Sequence, residues 1–295
     1  MDEIVGHEDA RSFFDRALSA SSLHHAYLVL GPEHVGKTTF VEAVASRILS
    51  TTPPRLDAHP DFVRVRKSVD EKTGKERTEI SVEQIRALRE TLSTHPVSAR
   101  YRLAFIEEAA ALSDAAANAL LKTLEEPNTS VVIFLRAAHI SDVPRTIVSR
   151  VEPIRLRPLP YTLVAEFLRR LGGSREEADI LTEEARGLPG LARQFLLSPK
   201  IHEAKKRERE AFLQVLDAPL AKRSVYLSHA LPKGQGREKA MELLAVWEEA
   251  IRARWHESKF SAPLTEAIAR LFQSREALAK NAPPLLALEH TLFFL

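Results

Sequence analysis

Five short apolar runs punctuate the first half of the chain, at 26–30, 62–65, 103–106, 131–135 and 154–156. Three of them are almost continuously apolar, as expected of strands covered on both faces. The segments between them change to a helical period. Residues 37–49 place Phe40, Val41, Val44, Ile48 and Leu49 at helical spacing. Residues 81–92 open with a capping box of Ser81 and Gln84 and then set Ile85, Leu88 and Leu92 on one stripe. Residues 113–126 are rich in Ala and Leu and stop at Pro127. Strands alternating with helices predict an α/β domain over 1–157, with a mostly parallel sheet built from right-handed crossovers.

After Pro158 and Pro160 the strand pattern fades. A helix pattern over 161–171 is stopped by Gly172-Gly173, and Ser174 with Glu177 makes a second capping box. That helix ends before Gly187, and Pro189 opens another. From about 201 onward the pattern is helical throughout, broken at Pro219, at 232–234, at Pro263 and at Pro283-Pro284. The charged run at 202–211 alternates in sign, which predicts an amphipathic helix rather than a nucleic-acid-binding arm. Residues 67–78 are polar, contain Gly74 and read as an exposed loop or hairpin tip.

Composition narrows the function classes. At roughly 150 residues per domain, 295 residues suggest two domains or three small ones. Lys plus Arg is 42 and Asp plus Glu is 40, so bulk charge alone would not hold the chain on nucleic acid. The sequence has no cysteine, which excludes disulfides, thiolate zinc sites, iron–sulfur clusters and cysteine nucleophiles. His24 and His25 are adjacent and poorly placed to chelate one ion jointly, so no structural zinc is expected. No apolar run reaches the roughly 18 residues that span a bilayer, and the acidic N-terminus has no secretory pattern. A cytoplasmic protein without membrane partners is expected.

The sharpest motif is G-P-E-H-V-G-K-T at 31–38, directly after an apolar strand and opening a helix. It satisfies G-x-x-x-x-G-K-[ST] in full. Successive backbone N–H groups of Gly31, Pro32, Glu33, His34, Val35, Gly36 and the first helical turn through Thr39 are placed to surround phosphate oxygens, proline itself contributing none. Lys37 would reach the β- and γ-phosphates, and the Thr38 hydroxyl would ligate Mg²⁺. ATP with Mg²⁺ is the expected cofactor. Two blander readings stand beside this one: a chance match in a strand-to-helix turn, and a loop that keeps the pattern without turning nucleotide over.

The run at 103–106 ends in Glu107-Glu108. In a P-loop ATPase Glu107 would hold Mg²⁺ and Glu108 would polarise the attacking water. Two acids that simply end a strand are the alternative.

The third signal is S-D-A-A-A-N-A-L-L-K-T-L-E-E-P at 113–127, followed by a strand and T-I-V-S-R at 146–150. This string resembles the AAA+ ATPases of the replication clamp-loader group. I-V-G-H at 4–7 resembles that group's opening. H-H-A-Y-L at 24–28, H-P-D at 59–61 and I-S-V-E-Q-I-R-A-L at 80–88 resemble its delta-prime branch in bacterial DNA polymerase III. The resemblance covers about residues 3–200. It implies an AAA+ P-loop domain over 1–157, a small helical lid over 158–200 and an all-helical collar over 201–295 that holds a pentamer together. It also implies partners: gamma/tau- and delta-type subunits, the sliding clamp and primed DNA.

The resemblance carries roles onto particular residues. Gly31, Gly36, Lys37 and Thr38 match the phosphate loop, and Val5, Gly6 and His7 would lie near the adenine. Arg150 matches an arginine that acts in trans on a neighbour's ATP, although Val151 replaces the cysteine that follows it in the family. The family's polar sensor aligns with Ala137, with Arg136 and His139 nearby, and Arg193 lies about one turn beyond the second sensor. Residues 50–58 replace a four-cysteine zinc module. Two function readings follow. One is a delta-prime-type subunit that binds nucleotide, hydrolyses it weakly or not at all, and contributes Arg150. The other is a gamma/tau-type motor hydrolysing its own ATP, which the whole loop and both acids favour. An unrelated P-loop ATPase such as a helicase loader is more distant. Lys122 and several arginines are candidates for contact with a central duplex, and a solvated helix face is the alternative for each.

Overall fold

In the computed structural model of the chain, which describes residues 4–70, 74, 76–232, 236–257, 262–280 and 282–294, alternate residues of each apolar run bury on opposite faces of one sheet. The strands are β1 (Ala26–Leu30), β2 (Phe62–Val65), β3 (Arg102–Ile106), β4 (Val131–Ala137) and β5 (Glu152–Arg155). All pair in parallel, in the order β2-β3-β4-β1-β5. Tyr27, Val29, Leu103, Phe105 and Phe134 face one side, against α1 (Glu8–Ser19) and α2 (Lys37–Ile48). Leu28, Leu30, Ala104, Ile106, Ile133 and Leu135 face the other, against α3 (Val82–Ser93), α4 (Asp114–Glu125) and α5 (Arg145–Val148). Helices on both faces are what a parallel sheet requires, since neither face tolerates water.

The aromatic side chains of this unit concentrate under α1. Tyr27 stacks on Phe134 with ring centroids 5.5 Å apart, and Phe14 meets Tyr27 edge-on at 4.7 Å. On the opposite edge Asp61 is fully buried. Its carboxylate accepts hydrogen bonds from the backbone N–H groups of Val97 (2.6 Å), Ser98 (2.7 Å) and Ala99 (2.9 Å) and pairs with Arg102 at 3.3 Å. Burial alone would raise its pKa. The backbone donors and the Ser98 hydroxyl more than offset that and hold the carboxyl well below the ordinary carboxylate range. H-P-D thus fixes the turn that feeds β3.

Cα packing divides the chain into Met1–Leu197 and Ser198–Leu295. Within the first unit α6 (Tyr161–Arg170), α7 (Arg175–Glu184) and α8 (Pro189–Leu197) gather around a core of their own that includes Val164, Leu168, Leu181 and Phe195. Both capping boxes expected from the sequence, at Ser81–Gln84 and Ser174–Glu177, are formed. The second unit consists, among the described residues, of α9 (Pro199–Leu216), α10 (Leu220–Ala230), α11 (Arg237–Glu257), α12 (Ala262–Ala279) and α13 (Pro284–Leu292). Trp247 is fully buried, lies flat on Phe212 at 5.0 Å and donates a 2.9 Å hydrogen bond to the Tyr226 hydroxyl, which itself donates to Glu208.

The differences from the sequence reading are local. Helix α1 and a 3₁₀ turn at Pro53–Ala58 are not signalled by the five runs. Strand β5 begins at Glu152 rather than 154, because it is an edge strand with only Ile154 buried. Pro153 is tolerated there for the same reason. Within the polar stretch 67–78, Val69 bridges Glu76 in antiparallel fashion; residues 71–73 and 75, like Lys233 and Gly234 of the 232–234 break, lie outside the described residues. Pro263 falls within the first turn of α12 rather than between helices, where its missing N–H costs no helical hydrogen bond.

Candidate functional site

The loop at 31–38 leaves the carboxyl end of β1 and turns into α2. Three backbone positions force its path. Gly31 has φ 148°, and a Cβ there would lie 2.4 Å from the Leu156 carbonyl oxygen. His34 has φ 63° and Gly36, the N-cap of α2, has φ 101°. Val35 is fully buried and pins the loop to the core beneath it. Pro32, Glu33 and His34 are exposed, as is Thr39 in the first turn of α2. The first N–H groups of α2, from Lys37 to Thr39, have no intrahelical partner.

Lys37 is the buried charge of the site, only 3% exposed. Its ammonium donates to the carbonyls of Gly31 (2.7 Å) and Pro32 (2.8 Å) and to Glu33 Oε1 (3.4 Å). Burial pushes its pKa down, against the pull of Glu33. All three ammonium protons are therefore spent within the loop.

Val5, Gly6 and His7 sit where the loop meets the α6–α8 helices. His7 Nε2 lies 3.2 Å from the Val35 carbonyl, and its ring meets Phe40 edge-on. Burial lowers the His7 pKa. Gly6 has φ 67°, and a Cβ there would press on the Leu159 side chain, while Val5 packs into the core of α6–α8. Gly190 at the start of α8 donates a 2.8 Å hydrogen bond to the His34 carbonyl. Arg193 is exposed on the same helix, and among the described residues no hydrogen bond or ion pair joins it to the loop.

The acids at the end of β3 are both paired. Glu107 Oε1 accepts from Arg64 at 2.7 Å, and Glu108 lies 2.6 Å from the Lys67 ammonium. Arg64 also holds Asp57 at 2.6 Å and Glu42 at 3.0 Å, and lies over the rings of Phe62 and Phe105. Burial would lower its pKa, but the Asp57 and Glu107 hydrogen bonds raise it. Arg136, near the end of β4, donates through Nε to the Glu107 backbone carbonyl and through a terminal nitrogen to Thr38 Oγ1 at 2.8 Å. Its neighbour Ala137 points to the opposite face, into the core. The two oxygens expected to hold Mg²⁺, on Thr38 and Glu107, are thus each hydrogen-bonded by a guanidinium. A hard dication needs such oxygens free of cations, so these residues do not fit it. Among the described residues no cluster of three or more His, Asp or Glu is placed to hold a metal ion.

Arg150 lies elsewhere. It precedes β5, and β5 runs parallel to β1 with Glu152 opposite Tyr27. The loop follows the carboxyl end of β1, so Arg150 and the loop lie at opposite ends of these two neighbouring strands, about 15 Å apart along them. Its guanidinium is 34% exposed and donates to Glu125 Oε1 (2.7 Å), the Thr146 carbonyl (2.9 Å) and Ser149 Oγ (3.0 Å). Lys122 is exposed on α4. Arg64 and Lys67 were not singled out in the sequence. The lone arginine in F-V-R-V is the one signal that pointed to a buried cation there.

A model of the family described as "DNA polymerase III, delta subunit" matches residues 6–160. Similar curated proteins are the DNA polymerase III subunit gamma of Buchnera aphidicola, 29% identical over 57% of this chain and 48% of its own length, and the DNA polymerase III subunit tau of Escherichia coli, 29% identical over 65% of this chain and 30% of its own. The match thus spans about half the length of these relatives or less. Among solved structures, a gamma subunit-related protein of DNA polymerase III from Thermotoga maritima covers 95% of this chain and 97% of its own at TM-score 0.53 and 17% identity. The RuvB Holliday junction branch migration motor of the same organism covers 89% and 85% at TM-score 0.50 and 19% identity. These likenesses and the five-stranded parallel sheet bear out the AAA+ fold class expected from the sequence, with a helical C-terminal region.

Proposed function

The chain belongs to the DNA polymerase III delta-subunit family, and on that premise we propose that it is a delta-prime-type member of the replicative clamp loader. In this reading it assembles with gamma/tau- and delta-type subunits in a cytoplasmic hetero-pentamer that loads the sliding clamp on primed DNA. The units are an AAA+ domain over 1–157, a lid over 158–200 and a collar over 201–295. The loop at 31–38 binds nucleotide phosphates, Val5 and Gly6 border the adenine, and Arg150 serves the ATP of a neighbouring subunit.

The observation that carries this reading over a motor ATPase is the pairing of both β3 acids with cations: Glu107 with Arg64 and Glu108 with Lys67. A carboxylate held in a bidentate or short ion pair is a poor base, since its lone pairs are already directed at a proton donor. Arg150, held at the amino end of the strands away from the loop, is suited to act outside its own subunit. A cation there would stabilise charge developing on a transferring phosphoryl group, an interaction stronger in the transition state than in the ground state.

The gamma/tau motor reading draws support from the names of the sequence relatives and from the complete loop. Steady-state phosphate release separates the two. The purified chain alone is expected to turn ATP over roughly 10³-fold or more slowly than the reconstituted assembly, because an arginine supplied in trans contributes on that scale. Rapid release by the lone chain would overturn the delta-prime reading in favour of the motor.

A further inference from the structure

We propose that the 31–38 loop takes a polyphosphate in its metal-free form, with Arg136 standing on Thr38 and beside Glu107 in place of a divalent cation. The inference rests on the phosphate-binding reading of the loop. It begins from the Arg136 guanidinium, which donates 2.8 Å to Thr38 Oγ1 and also holds the Glu107 carbonyl. A Mg²⁺ bonded to the same hydroxyl would lie within about 5 Å of that nitrogen. An arginine does not relieve the repulsion by losing its proton.

The acids that would compensate are turned elsewhere. The Glu107 carboxylate is satisfied by Arg64 at 2.7 Å, and Arg64 in turn is fixed by Asp57 and Glu42 and by the rings of Phe62 and Phe105. Glu108 is satisfied by Lys67 at 2.6 Å. Arg136 thus stands on the Thr38 hydroxyl, the oxygen that an ordinary phosphate loop leaves for a metal.

The same arrangement suits a bare anion. A guanidinium offers five N–H donors in a rigid plane that matches phosphate oxygens. Arg136 spends two of them, on Thr38 and Glu107. The rest are left for phosphate oxygens, beside the first-turn N–H groups of α2, the turn that carries Thr38; Lys37 joins them by exchanging the Gly31 and Pro32 carbonyls for phosphate oxygens. A ligand chelated by Mg²⁺ brings less negative charge to these donors than the free polyphosphate does.

The test is titration of the full chain with ATP, once in excess EDTA and once in excess Mg²⁺, by calorimetry. Affinity in EDTA is expected to equal or exceed that in Mg²⁺. Arg136→Thr is expected to lose at least tenfold in EDTA and less in Mg²⁺, and Arg136→Lys to recover part of the loss, each compared at equal thermal stability. Tripolyphosphate showing the same preference would trace it to the phosphates alone, and ATP binding without tripolyphosphate binding would name the nucleotide as the source; both support the proposal. Wild-type affinity tenfold higher in Mg²⁺ overturns the proposal and leaves the phosphate reading standing. So does Arg136→Thr binding as tightly as wild type in EDTA. Absence of binding in both buffers, with Lys37→Ala indistinguishable from wild type, overturns the phosphate reading and the proposal together.

Discussion

The Arg150 guanidinium donates a 2.7 Å hydrogen bond to Glu125 Oε1, tying the turn before β5 to the last turn of α4. The two ends of the signature that the sequence displayed separately, L-E-E-P and V-S-R, are thus one structural unit. Both groups are substantially exposed, so the pair adds about 0–1 kcal/mol to stability. Its value is in orientation. Two further acceptors, the Thr146 carbonyl and Ser149 Oγ, fix the plane of the guanidinium.

Arg150→Ala is accordingly expected to leave folding and the chain's own nucleotide affinity unchanged and to slow turnover at the neighbouring site by roughly 10³-fold or more. Glu125→Ala keeps the cation but frees it, and a loss of about 10²-fold or less is expected. The measurement is clamp- and primed-DNA-stimulated ATPase of the reconstituted assembly, with assembly verified by gel filtration. Equal turnover in an intact assembly carrying Arg150→Ala would refute the trans role.

Glu33 competes with any phosphate for Lys37, at 3.4 Å. Glu33→Gln removes a negative charge from the loop and weakens the hold on the ammonium. ATP affinity is expected to rise a few-fold. Lys37→Ala is expected to lower it at least tenfold. Fluorescent-nucleotide titration reads both, and a fall in affinity on Glu33→Gln would contradict the competition.

Asp61 makes a prediction about acid stability. Its folded pKa is held below the ordinary value near 4. The stability it contributes is therefore present above that ordinary value and is lost as pH falls through the folded one. Asp61→Ala strands the buried Arg102 and three N–H groups, at an expected cost of about 3–5 kcal/mol. Asp61→Asn retains some acceptors but not the charge, so its stability should depend less steeply on pH below about 4. Denaturant unfolding at pH 7 and at pH 3 compares them; parallel pH dependence of wild type and Asp61→Asn would exclude Asp61 as the source.

Tyr226 shows the opposite sign. Burial first, then the Glu208 carboxylate, push its phenol well above the ordinary range. The stability it contributes is present below the unfolded value near 10 and falls as pH rises beyond it. Tyr226→Phe leaves Trp247 Nε1 and Glu208 without that partner, at an expected cost of about 1–3 kcal/mol, and should remove the alkaline dependence. Thermal unfolding at pH 8 and pH 11 tests this.

The sheet was legible because parallel strands covered on both faces have no polar alternation to confuse them. Strands β1 and β2 stand where their runs stand. Helix α1 was not, since its buried stripe is thin, with Phe14 and Ala17 its buried residues. The phosphate loop was legible because its chemistry is contiguous in sequence. The cations around it were not. Arg64 is 43 positions from Glu107, and Arg136 is 98 from Thr38. Only the strand order β2-β3-β4-β1 brings them beside the loop. The spacing of Glu107 and Glu108 could announce two acids at a strand end, but not that each had already been given a counter-ion.

The 2.8 Å hydrogen bond from Gly190 to the His34 carbonyl makes loop and helix α8 a single mechanical joint. A Cβ at Gly190 would sit 2.8 Å from that same oxygen, so the joint admits no side chain and little slack. Linkage then works in both directions. Whatever alters the loop on filling biases the tilt of α8. Conversely, any protein that grips the α6–α8 helices and favours one tilt retunes the loop's affinity by an equal factor, without touching it.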